Sequence, residues 1–462
     1  MSNFPKDFIW GSATSSYQIE GAVNEGGRGR SIWDRFCDQP GKVLNGDTGA
    51  IACNHYNLFE DDVKLMAELG LKAYRFSIAW PRIQPSGIGE PNLAGITFYN
   101  KLIDCLLEHD IEPWITLYHW DLPEDLYVNH NGWLNKKIID YFGEYARICF
   151  ESFGDRVKHW ITLNEPWCSA VLGYGNGHHA PGHVDDKEPY IAAHNLLLSH
   201  ARAVQIYRKM EVNNDGVIGI TNNCDFRYPL TDTAANREAA QRSLEFFLGW
   251  FADPIWKGDY PEIMKHMIGD KLPQFTDEEK ILLYQSSDFF GLNHYSSMLA
   301  SEPSENNQED ASIAGNGGMI EDQNVHLSVD PTWKQTQMEW SIVPDGCKEL
   351  LKWIDNRYDH PIIYITENGC AQDEPNEEKG INDLGRVEFF KGYINACNEA
   401  LDFGIDLRGY FAWSLLDNFE WAWGYERRFG LCRVDFDTLK RTPKKSALWY
   451  KDLILENSDF TI

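Results

Sequence analysis

Two glutamates occupy matching places in the chain. In W-I-T-L-N-E-P-W, residues 160–167, an apolar run delivers Asn164 and Glu165, and Pro166 stops it. Far downstream, Ile362, Ile363, Tyr364 and Ile365 lead through Thr366 to Glu367, Asn368 and Gly369. One such glutamate is ordinarily a solvated strand-end carboxylate or the partner of an arginine such as Arg75, because Glu is seldom buried. Two of them, each beside an asparagine, suit a specific chemistry. Cleaving a glycosidic bond needs a proton for the leaving oxygen and support for an oxocarbenium-like centre, and two flanking carboxyl groups supply both. Mutual repulsion pushes their pKa values apart, so one is protonated while the other is ionised. Once the ionised partner is esterified by a sugar its charge is gone, and the other turns from acid to base.

Such a pair needs elements that hold it in place. Apolar β-type runs recur at residues 8–10, 73–80, 113–120, 160–163, 217–221, 289–295, 362–366 and 407–416. Helical patterns lie between them. Phe59, Val63 and Met66 share a face before Gly70, Leu102, Cys105, Leu106 and His109 precede Pro113, and Ile138, Phe142, Tyr145, Cys149 and Phe153 precede the fourth run. Strand alternating with helix implies parallel strands and crossovers, and eight units imply an α/β fold closed as a (β/α)8 TIM barrel, a single domain over 1–462. In that fold the active site forms at the C-terminal strand ends, from long βα loops. Arg75, His119, Trp120, Asn164, Glu165, Asn293, His294, Tyr295, Glu367, Asn368 and Trp413 all sit at or near such ends. The polar, acidic stretch 301–330 reads as a surface loop after the sixth strand.

Composition sets limits. A chain of 462 residues buries a large core without metal or disulfide. The ten Cys are scattered with no CxxC pair, which fits reduced thiols in a cytoplasm. The start has no basic head followed by an apolar stretch, and no segment is apolar enough to span a bilayer. A net charge of −28 repels nucleic acid and anionic membrane, so neither is an expected partner. The 17 Trp point to ring-stacking surfaces beside a large aromatic core. His178, His179 and His183 are clustered, but their spacing matches no metal site, and no metal or cofactor is expected.

Longer motifs add a resemblance. The chain resembles glycoside hydrolase family 1 β-glycosidases of the β-glucosidase type, nearly end to end. The shared motifs are F-I-W-G (8–11) with Y-Q-I-E-G (17–21), Y-R-F-S-I-A-W (74–80), L-Y-H-W-D-L-P (117–123), T-L-N-E-P-W (162–167), G-L-N-H-Y (291–295), I-T-E-N-G (365–369) and W-S-L-L-D-N-F-E-W (413–421). The resemblance implies that Glu165 is the acid/base and Glu367 the nucleophile of a retaining double displacement, for which the carboxyl groups stand ~5–5.5 Å apart. It implies supporting roles for Asn164 at the sugar 2-OH, for Tyr295 and Arg75 at the nucleophile, and for Asn293. Gln18, His119, Trp120, Trp413, Glu420, Trp421 and Phe429 would bind the non-reducing sugar. Trp340 would stand on the aglycone side with Cys168, whose alternative reading is inert packing.

The substrates so implied are small-molecule β-glycosides: cello-oligosaccharides and aryl or alkyl β-glucosides, with galactosides and fucosides beside them. Monomer and homo-oligomer stay open. The departures are Asn54, where the family more often has Asp, His178, and the unusual loop from Ser301. Two rivals remain at this level. A 6-phospho-β-glycosidase would replace the Glu420-Trp421 region with a phosphate-binding set, although Arg427 and Arg428 are near. A non-catalytic sugar-binding homologue would lack one of the two glutamates.

Overall fold

A computed structural model of the chain describes residues 4–210, 215–303 and 319–458. All eight expected strands are present. They are β1 Ile9–Ala13, β2 Ala73–Ser77, β3 Glu112–Tyr118, β4 His159–Asn164, β5 Val217–Asn223, β6 Phe290–Asn293, β7 Ile363–Asn368 and β8 Leu407–Trp413. Each hydrogen-bonds its neighbours in sequence order, every pairing is parallel, and β8 closes on β1 through Ile9↔Gly409 to Ala13↔Trp413. This is the closed (β/α)8 barrel that the strand–helix alternation implies.

Alternation along the strands divides the core. Ala73, Trp114, Ile161, Tyr364 and Phe411 meet inside the barrel and fill it, so the barrel is no pore. Tyr74, Phe76, Ile363 and Ile365 belong to the outer layer, with residues from the helices. The helices expected between runs span His55–Glu68, Leu93–Glu108 and Ile138–Phe153. Asn54 precedes the first of these in the left-handed region at φ 51°, a conformation Asn adopts more readily than most residues. The long helix Glu188–Met210 braces β4 directly. Its His200 meets Thr162 Oγ1 at 2.6 Å, and burial pushes that imidazole down to about 3, keeping it neutral.

Several apolar runs outlast their strands. The second stops at Ser77 and turns into a helical turn, Trp80–Ile83, while the eighth ends at Trp413. The surplus residues line loops at the top of the barrel, where burial in a pocket requires the same apolar side chains as a strand does.

The expectation of a surface loop over 301–330 is corrected. Ser297–Ser301 pairs with Phe226–Pro229 on one side and with His326–Ser328 on the other. Met298, Ala300, Val325 and Leu327 pack there against Ala239 and Ala240. A few apolar residues in a polar stretch suffice to seat a short strand on a flanking helix. Residues 304–318 lie outside the described residues.

Candidate active site

Glu165 and Glu367 both stand at the C-terminal mouth of the barrel. The strand register slips at these places: β4 against β5 between Ile161 and Asn164, and β7 against β6 between Ile365 and Glu367. Such irregularities re-aim side chains at barrel rims. Glu165 itself has φ 45°, while its backbone N–H bonds the Thr221 carbonyl at 2.9 Å. Trp120 (φ 75°) and Trp421 (φ 50°) share this left-handed conformation. Three strained bulky residues in one mouth mark a site where geometry outweighs local preference.

The carboxyls have unlike surroundings. Glu367 Oε1 accepts from Arg75 Nη1 at 2.5 Å, and Oε2 accepts from the Tyr295 hydroxyl at 2.7 Å. Burial and the Glu367 charge push the Tyr295 phenol well above its ordinary value, so it stays a donor. Glu165 Oε1 accepts from Asn293 Nδ2 at 2.6 Å, and Oε2 accepts from the Cys168 thiol at 3.0 Å. Burial, aided by repulsion from Glu367, pushes the Glu165 carboxyl up to about 8. One carboxyl is thus matched to a cation while the other favours its proton, the division that acid and nucleophile chemistry needs.

Asn164 joins the two. Its Oδ1 accepts from Arg75 Nη2 at 2.6 Å and from Asn293 Nδ2 at 3.0 Å, and Thr366 Oγ1 donates to Asn293 Oδ1 at 2.8 Å. With its oxygen so held, the Asn164 amide nitrogen turns toward His119 Nε2 at 3.0 Å. Burial, and then Arg75, drive His119 well below its usual value. The ring is neutral, and accepting at Nε2 places its proton on Nδ1, an atom with no protein partner.

Aromatic and polar groups surround this centre. His119 lies nearly parallel to both Trp413 and Trp421, at 5.8 and 6.0 Å between ring centres. Trp120 packs on Trp421 at 4.6 Å and donates its indole N–H to the Asn164 carbonyl at 2.9 Å. Gln18 Nε2 donates to Asn418 Oδ1, the Phe419 carbonyl and Glu420 Oε2 at 3.0, 2.9 and 3.3 Å. Burial, with Glu367 and Glu165 adding, pushes the Glu420 carboxyl up to about 8. Tyr295, Trp340 and Phe429 form an aromatic corner with centre distances of 5.2 to 6.2 Å. Gly369 allows β7 and β8 to meet here, since a Cβ on it would lie 1.8 Å from the Trp413 carbonyl oxygen.

All the residues singled out for catalysis and sugar binding therefore converge on one mouth, with Trp340 on its flank. Cys168 is not inert packing, because its thiol bonds Glu165. The histidine cluster disperses. His183 bonds Tyr127 and Glu188, His179 packs among Trp33, Trp120 and Trp421, and His178 is exposed. Sequence reasoning missed Asn223, which contacts the Cys168 sulfur from the end of β5. Its place at a C-terminal strand end was the signal available. Arg427 lies over Trp423, and Arg428 bonds Asp417 and the Val434 carbonyl, so both arginines are engaged elsewhere.

Known proteins share the sequence and the fold of this chain over nearly its whole length. The family model described as Glycosyl hydrolase family 1 matches residues 1–459. The chain is 48% identical over 460 residues to Beta-glucosidase 42 of Arabidopsis thaliana, covering 97% of this chain and 93% of that one. It is 43% identical over 463 residues to Beta-glucosidase A of Thermotoga maritima, covering 99% of each. A rice β-glucosidase mutant, solved in a covalent complex with Glc, superposes with a TM-score of 0.93 at 42% identity, covering 97% of this chain and 98% of that one. The β-glucosidase of Trichoderma harzianum gives 0.92 at 45% identity over 98% of both. With this barrel, this carboxyl pair and this agreement over nearly its whole length, the chain belongs to glycosyl hydrolase family 1.

Proposed function

We propose that this family 1 β-glucosidase hydrolyses terminal, non-reducing β-D-glucosyl residues with retention, as one catalytic unit over the whole chain. The carrying observation is the division of the pair: Glu165 is buried and pushed up to about 8, while Glu367 is ion-paired to Arg75. Glu367 attacks the anomeric carbon as Glu165 gives its proton to the leaving oxygen. The ester removes the Glu367 charge, the Glu165 pKa falls, and Glu165 then takes a proton from water as that water displaces the ester. The rice relative in its covalent complex with Glc supports this route.

The pocket suits a neutral pyranose. Trp413 offers an indole face, while His119 Nδ1, Asn164 Nδ2, Gln18 and Glu420 offer polar atoms to hydroxyls. Cello-oligosaccharides and aryl or alkyl β-glucosides are the substrates in view, with β-galactosides and β-fucosides as secondary ones. A 6-phosphate needs cations to meet it, and the two arginines nearby are engaged by Trp423, Asp417 and the Val434 carbonyl, which gives that reading no support. Retention of both glutamates opposes a non-catalytic role. Ten unpaired cysteines suit a reducing cytoplasm, and no helix among the described residues is long and apolar enough to cross a membrane.

A panel of nitrophenyl β-glycosides, the 6-phosphate ester of the glucoside and cellobiose tests this reading. Turnover of the glucoside and cellobiose without the phosphate ester is expected. Turnover of the phosphate ester alone would overturn it.

A further inference from the structure

The Glu165 carboxyl has a second attachment that the division of the pair does not require. Glu165-Pro166-Trp167-Cys168 opens a helical turn in which the N–H of Cys168 bonds the Glu165 carbonyl at 3.0 Å, and a π-helical segment, Cys168–Leu172, follows. Positions three apart share a face in such a turn, so the thiol is brought back onto the carboxyl of its own turn. Sγ lies 3.0 Å from Glu165 Oε2. On its other side, Asn223 Nδ2 at the end of β5 reaches Sγ at 3.5 Å. The amide nitrogen can only donate, so it occupies a sulfur lone pair and leaves the S–H hydrogen for Glu165.

We propose that Cys168, held by Asn223, is a positioning residue that orients the Glu165 carboxyl and favours its ionised form between proton transfers. The inference rests on the reading of Glu165 as acid/base. A thiol differs from other donors at this position. Burial, reinforced by Glu165, drives the Cys168 pKa well above its ordinary value, so the sulfur keeps its hydrogen and adds no charge. The S–H bond is a weak donor on a freely turning rotor. It donates to Oε2 when Glu165 is a carboxylate and swings aside when Oε2 carries the proton, whereas a fixed cation would oppose reprotonation. The other charged or titratable groups acting on Glu165 and Cys168 are Glu367 on β7, Arg75 on β2, Tyr295 after β6, Asp225 after β5 and Glu420 after β8. Only the thiol shares the turn of Glu165.

The test compares pH profiles of kcat/KM for Cys168→Val, which keeps a similar bulk and removes the donor, and Cys168→Ser, which restores a donor. A donor to the carboxylate lowers its pKa, so its loss moves the alkaline limb upward, by about half a unit to one unit. Val is expected to shift the limb and Ser to return it toward the parent. Asn223→Leu, with the thiol intact, is expected to move it the same way by less, which covers a Val variant that fails to fold. Limbs unchanged in both Val and Leu variants, or shifted alike by Val and Ser, would overturn the inference. Failure of the underlying reading has a different signature: Glu165→Ala would then leave hydrolysis of cellobiose intact.

Discussion

Arg75 and Asn164 are joined at 2.6 Å through a guanidinium whose other nitrogen binds Glu367 at 2.5 Å. A single side chain from β2 therefore sets the carboxylate on β7 and the amide on β4 in one rigid frame. Arg75 is fully buried, and removing one member of a buried pair leaves the other uncompensated. Arg75→Met should lower kcat/KM by roughly 10²-fold or more and lower stability by about 3–5 kcal/mol. Steady-state kinetics and denaturant unfolding measure the two effects. A variant with parent-like turnover would remove Arg75 from the account.

The alkaline limb of activity should belong to Glu165. With its carboxyl pushed up to about 8, kcat/KM for unactivated glucosides should fall as pH rises through that value. Burial is the larger cause and the Glu367 charge the second. Glu367→Gln should therefore lower the Glu165 titration, seen by carbon NMR of labelled glutamate, without returning it to the range of a free side chain. An unchanged titration would show that the two carboxyls do not interact.

The same shift makes a stability prediction. The unfolded Glu165 loses its proton near pH 4.3, the folded one only near 8. Between these values the unfolded chain is the less protonated state, so folding stability falls as pH rises, by roughly 3–4 kcal/mol at pH 7 from this group. Glu165→Gln removes the penalty. Its Tm should match the parent below pH 4 and exceed it increasingly toward pH 8. A difference independent of pH would contradict the assignment.

Gly369 should tolerate no side chain. A Cβ 1.8 Å from the Trp413 carbonyl oxygen forces β7 away from β8, and both carry pocket residues. Gly369→Ala should either prevent folding or cost activity far more than it costs secondary structure, measured by circular dichroism beside turnover. Full activity would show that the two strand ends are not so closely packed.

The barrel was legible because strand and helix use different apolar periods, and each of the eight runs holds a strand. The strand ends were less so. Residues 78–80 are apolar although β2 has ended at Ser77, since a pocket wall and a strand make the same demand. The pair itself was legible from residue type and place, and Arg75, Asn164 and Tyr295 arrive where the motifs put them. What motifs do not encode is orientation. The slip in register that aims Glu367, the amide direction of Asn164 fixed by Arg75 and Asn293, and the contact of Asn223 with Cys168 all arise from neighbours distant in sequence. The strand at 326–328 escaped for a similar reason: its partner lies in another segment, and three residues carry no period.

Double displacement is the central claim, and anomeric configuration reports it directly. Proton NMR of nitrophenyl β-glucoside hydrolysis, recorded before mutarotation, should show β-glucose as the first product. Initial release of α-glucose would mean a single inverting displacement and would contradict Glu367 as nucleophile.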